Sequence, residues 1–79
     1  MSDTSFGSWL KARRRELDLT QIELARKVGC AEITIRKIEA DSLRPSKQLA
    51  TNLMETLNVP RDEQNALMQL ARHNHHADK

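Results

Sequence analysis

Apolar residues recur at the three- and four-residue spacing of amphipathic helices, in five short segments separated by turn-forming residues. The first, over residues 6–17, carries Phe6, Leu10 and Leu17 on one stripe. Continued from Leu10, that stripe reaches Arg13 or Arg14, so an arginine is expected on the apolar edge, with Trp9 at its side. Asp18 and Leu19 form a turn. Thr20, followed three positions on by Glu23, fits a capping box in which hydroxyl and carboxylate satisfy each other's free backbone amides, so a second helix starts at Gln21. Leu24, Ala25 and Val28 face inward, and Gly29 ends the helix because glycine takes a left-handed C-terminal position at least cost.

A third helix is expected over residues 32–40. At about 100° per residue, Ala31, Ile35 and Ile38 share the core side. Ile33, Arg36 and Lys37 lie opposite, with Glu32 and Thr34 on the two flanks. An outward isoleucine between two cations is unusual for a merely solvated face. Residues 41–45 form a loop, since Pro45 disfavours helix in the residue before it. Ser46 caps a fourth helix striped by Leu49, Leu53 and Leu57, and Asn58 suits its stop. Pro60 suits the entry to a fifth, over residues 62–72, with Asp62 and Glu63 at its positive end and Leu67, Leu70 and Ala71 as its apolar face.

Composition narrows the function classes. With 79 residues, 38% hydrophobic and 30% charged, the chain is long enough for one small all-α domain over residues 6–72. Flexible ends are expected at residues 1–5 and 73–79. Helix formers are abundant and sheet-favouring aromatics scarce. The sequence contains no stretch of about 18 apolar residues that would span a membrane. From its polar start no signal peptide is expected. Cys30 is the sole cysteine, so no internal disulfide forms, and a cytoplasmic location is expected. Spacings for a metal, for a nucleophile–base pair or for a phosphate loop are missing, so neither cofactor, metal site nor catalytic residue is expected, and the chain reads as a non-enzyme. The three tail histidines lack cysteine or carboxylate partners at ligand spacing. The net charge of +2 is uneven: residues 1–40 hold eight cations against six acids, and residues 41–79 five of each. A local basic face can attract a polyanion at small net charge.

Residues 21–40 combine a capped helix, a small residue at a close crossing (Ala25), a glycine turn and a second short helix. Leu24, Val28, Cys30, Ile35 and Ile38 fill the angle between the two. This is a helix-turn-helix pattern, whose second helix projects its outer face into the DNA major groove. The run from Thr20 to Gly29, then Thr34-Ile35, Ile38-Glu39 and Arg44-Pro45, resembles the phage-repressor-like (Xre-type) helix-turn-helix family, over residues 6–72.

The resemblance implies a five-helix, lambda-repressor-like fold and a bacterial or phage transcriptional regulator. Its partner would be double-stranded DNA, often bound as a homodimer on a palindromic operator, and some such domains are modules of longer regulators. It places Glu32, Ile33, Thr34 and Lys37 at base-facing positions. Gln21, Arg36, Ser42, Arg44 and Lys47 fall at backbone-contact positions, and Arg14 and Glu39 at a structural ion pair. The chemistry suits those roles. A lysine donates to guanine O6 and N7, a carboxylate accepts from cytosine N4, and Ile33 and Thr34 meet a thymine methyl. Plainer roles exist too: Glu32 can simply favour the positive end of its helix, and Cys30, Met54 and Met68 can be core filler. Two departures from the family stand out. Ala31 replaces the usual hydroxyl cap of the third helix, and Asp41, replacing a common glycine, brings an acid toward the phosphates. Together with Glu32, the exposed Ile33 and the small net charge, Asp41 supports an alternative on the same fold: a protein-interaction module, antitoxin-like or docking a regulator partner.

Overall fold

The computed structural model describes residues 5–73, so the expectations for residues 1–4 and 74–79 lie outside the described residues. Five helices follow in order: α1 Phe6–Glu16, α2 Gln21–Val28, α3 Glu32–Glu39, α4 Lys47–Thr56 and α5 Arg61–His73. Among the described residues there is no strand, and no helix is long and apolar enough to cross a membrane.

Local chemistry explains the helix ends. Ser5, Thr20 and Ser46 cap α1, α2 and α4 by accepting from the amides of Ser8, Glu23 and Leu49, and Thr20 with Glu23 completes the expected capping box. Ala31 caps α3 without a side-chain hydrogen bond. At the C-termini one device recurs, a residue in the left-handed region with the next amide folded back on the last turn. Gly29 (φ 88°) closes α2, Asp18 (59°) closes α1, Asp41 (60°) closes α3 and Asn58 (60°) closes α4. After α3, the amides of Asp41 and Ser42 donate to the carbonyls of Ile38 (3.0 Å) and Lys37 (2.8 Å). Asp and Asn tolerate this region better than other side chains, which is why an aspartate can stand where glycine is common.

The core sits between all five helices, with Leu10, Leu24, Ile35, Ile38, Leu53, Met54 and Leu57 fully buried. Each such side chain contributes roughly 1.5–3 kcal/mol relative to exposure. α3 packs against α2 and α1, and α4 against α2 and α5. Ala50 and Met54 join Leu53 and Leu57 in the core while Leu49 is only half-buried, because α4 meets neighbours on two sides and its inward face is rotated from the leucine stripe. Trp9 is half-buried and lies against Phe6, ring centroids 5.5 Å apart.

Two further positions depart from the periodic reading. Leu17 is exposed, because α1 stops at Glu16 and Leu17 is its C-cap. Ala31 is exposed too: its extended backbone (φ −79°, ψ 151°) precedes the first helical residue, so the helical wheel does not govern where it points.

Candidate nucleic-acid interface

Helix α3 is braced from behind by an ion pair whose side chains are largely buried. Arg14 Nε donates to Glu39 Oε2 at 2.6 Å and Arg14 Nη2 to Glu39 Oε1 at 3.1 Å, in the two-pronged geometry that suits a guanidinium. Arg14 Nη1 donates to the Leu19 carbonyl at 2.8 Å, and Gln21 Nε2 donates to Glu39 Oε1 at 3.0 Å. The side chains of Arg14 and Glu39 are only 11% and 4% exposed. The Glu39 hydrogen bond raises the Arg14 pKa, against the lowering effect of burial and with the help of the carboxylate charge. This cluster ties the end of α1, the start of α2 and the end of α3 together.

The register of α3 on that brace turns its other face outward. Ile35 and Ile38 are buried, Ile33 is 51% exposed, and Arg36 and Lys37 are exposed. Gln21, Ile33, Arg36, Lys37 and Ser42 line one shallow groove of about 390 Å³ with Glu39 and Ala40, and Lys11 of α1 completes it. Glu32 and Thr34 are half-buried on the flanks of α3 and do not line this groove. Lys47, exposed, is the first residue of α4.

Three expected backbone-contact residues and one departure carry qualifications. Gln21 is engaged with Glu39, leaving its second amide hydrogen for an outside acceptor. Arg44 and Lys47 stand apart from the groove, and Arg44 donates from Nη1 to the Arg72 carbonyl near the end of α5 at 3.1 Å. Asp41 is exposed, but one oxygen of its acid is engaged within the fold. Its Oδ1 accepts from the Gly7 amide at 3.2 Å, where the first turn of α1 has free amides and favours a carboxylate.

The residue that sequence reasoning missed here is Gly7. A Cβ on it would lie 2.6 Å from Asp41 Oδ1 and 2.7 Å from the Glu39 carbonyl, so only glycine lets α1 approach the end of α3 this closely. Nothing in the local pattern singles it out. Cys30 is half-buried beside the core, and burial pushes its thiol pKa up, in keeping with a small apolar filler.

A helix-turn-helix family model matches residues 10–64, from inside α1 to the first turn of α5. The chain belongs to this helix-turn-helix family. The match agrees with the phage-repressor-like resemblance and with the all-α arrangement of five helices. No curated protein and no solved structure matches the chain. The helix-turn-helix is a DNA-binding unit; in this chain α2 and α3 are its two helices, and Gly29 lies in the turn between them.

Proposed function

We propose that this chain is the sequence-specific DNA-binding part of a bacterial transcriptional regulator, non-enzymatic, acting in the cytoplasm on double-stranded DNA. The observation that carries the reading is the outward face of α3, with Ile33, Arg36 and Lys37 exposed on a helix fixed by the Arg14–Glu39 pair. A rigid reading helix loses little conformational freedom on docking, so its side chains meet base edges already positioned. Glu32, Ile33, Thr34 and Lys37 read the major groove. Arg36, Ser42, Gln21, Arg44 and Lys47 hold phosphates, supplying affinity and register rather than sequence information. Lys47 is consistent with this assignment: it is exposed as the first residue of α4, where a helix N-terminus and an ammonium suit one phosphate together.

The protein-docking alternative keeps Ile33 and Glu32 in its favour. It is weakened at Asp41, one oxygen of whose carboxylate accepts from the Gly7 amide.

Selection of bound duplexes from a random pool tests the proposal. A defined consensus is expected, and a palindromic one would identify a homodimer with two reading helices about 34 Å apart. Lys37→Ala should relax one position of that consensus, at about 1–3 kcal/mol of lost discrimination. Recovery of unenriched pools at low salt would refute the reading.

A further inference from the structure

Helix α1 carries four cations, Lys11, Arg13, Arg14 and Arg15, and the fold gives them different fates. Arg13 donates from Nε and Nη2 to the Leu57 carbonyl at 3.1 and 3.0 Å, satisfying the end of α4, and pairs with Glu16 at 3.2 Å. Arg14 is held by Glu39 and the Leu19 carbonyl. Arg15 is exposed near the end of the helix and does not line the groove. Lys11 is exposed, takes part in no ion pair among the described residues, and lines the groove beside α3. On the opposite side of α1, a second cleft is lined by Trp9, Ala12, Arg13 and Glu16, and its α1 cation is already engaged. Lys11 is therefore the α1 cation available to an anion lying against α3.

The groove's chemistry says which anion. Around Lys11 stand Arg36 and Lys37, the Ser42 hydroxyl and the remaining amide hydrogen of Gln21, all donors. The one carboxylate in the lining, Glu39, is already neutralised by Arg14. Ile33 and Lys37 form the base-facing edge of the groove, whereas Arg36, Ala40 and Ser42 belong to the C-terminal half of α3 and the residues just after it. When the N-terminal residues of a reading helix meet base edges, the neighbouring elements cross the sugar–phosphate backbone.

Resting on the DNA reading above, we infer that Lys11 is a phosphate-contact residue. It closes, from α1, a backbone cradle otherwise built from the start of α2 and the end of α3. Its contribution is sequence-independent affinity.

The test is fluorescence anisotropy of the full chain on a random-sequence duplex, across a series of salt concentrations, with Lys11→Gln, Lys11→Arg and Arg15→Gln as variants. Neutralising one phosphate fewer takes about 0.9 off the slope of log K against log salt, which is about eightfold in affinity near 0.1 M salt. K11Q should show that loss, K11R should restore the slope, and R15Q, removing the same charge outside the groove, should leave the slope unchanged. Matching far-ultraviolet melting curves confirm that the variants are folded. Equal slopes for K11Q and R15Q overturn this inference alone. A wild-type chain that binds no duplex overturns the DNA reading and this inference with it.

Discussion

Replacing Glu39 with glutamine should cost this domain a large part of its stability. The Glu39 carboxylate accepts three hydrogen bonds, two from Arg14 and one from Gln21, with its side chain only 4% exposed. An amide has a single acceptor oxygen, so at least one donor loses its partner and the Arg14 guanidinium is left buried without its countercharge. Breaking a buried pair from one side costs about 3–5 kcal/mol. A chain of this length has roughly 4–12 kcal/mol in all, at about 0.05–0.15 kcal/mol per residue. With a urea dependence of about 1 kcal/mol per molar, the midpoint should fall by about 3 M or more. The loss should not come from titration of Arg14. Its folded pKa is raised, so its contribution is complete below the unfolded value and disappears only as pH climbs through the folded value, far above neutrality. Arg14→Leu combined with Glu39→Leu should recover most of the loss, since an apolar pair of similar volume removes the buried charge as well. A Glu39→Gln midpoint within about 1 M of the wild type would refute the reasoning, because the pair would then not be buried as described.

Two further substitutions probe the supports of α3. Gly7→Ala should destabilise by about 1–3 kcal/mol in urea titrations, as an added methyl meets Asp41 Oδ1 and backbone carbonyls at the end of α3. An unchanged midpoint would mean that α1 does not approach α3 so closely. Ala31→Ser should stabilise by about 0.5 kcal/mol, because the backbone already has the extended cap geometry and the hydroxyl would share the Thr34 amide, which now donates to the Ala31 carbonyl at 3.0 Å; a lower melting temperature would show that the position is not the cap of α3.

Local chemistry by itself determined most of the element boundaries. The Thr20–Glu23 box, Gly29, Ser46 and Asn58 each act within about five residues, through hydrogen bonds and backbone sterics that need no distant partner. The outward set of Ile33, Arg36 and Lys37 was legible for the same reason, since helical periodicity places it opposite Ile35 and Ile38. Resemblance to a family supplied the pairing of Arg14 with Glu39, while periodicity went only as far as an arginine at the apolar edge. Tertiary structure alone decided the rest. Whether Lys11, Arg13 or Arg15 faces the groove depends on how α1 is rolled against α3 and α4, and Arg13 is committed by a carbonyl 44 residues away. Asp41 is tied to the start of α1 by an amide 34 residues distant, and Gly7 matters only because α3 ends against it. The physical reason is range. Caps and stripes are written in neighbouring residues, whereas the fate of a long, flexible charged side chain depends on what distant segments bring within its reach.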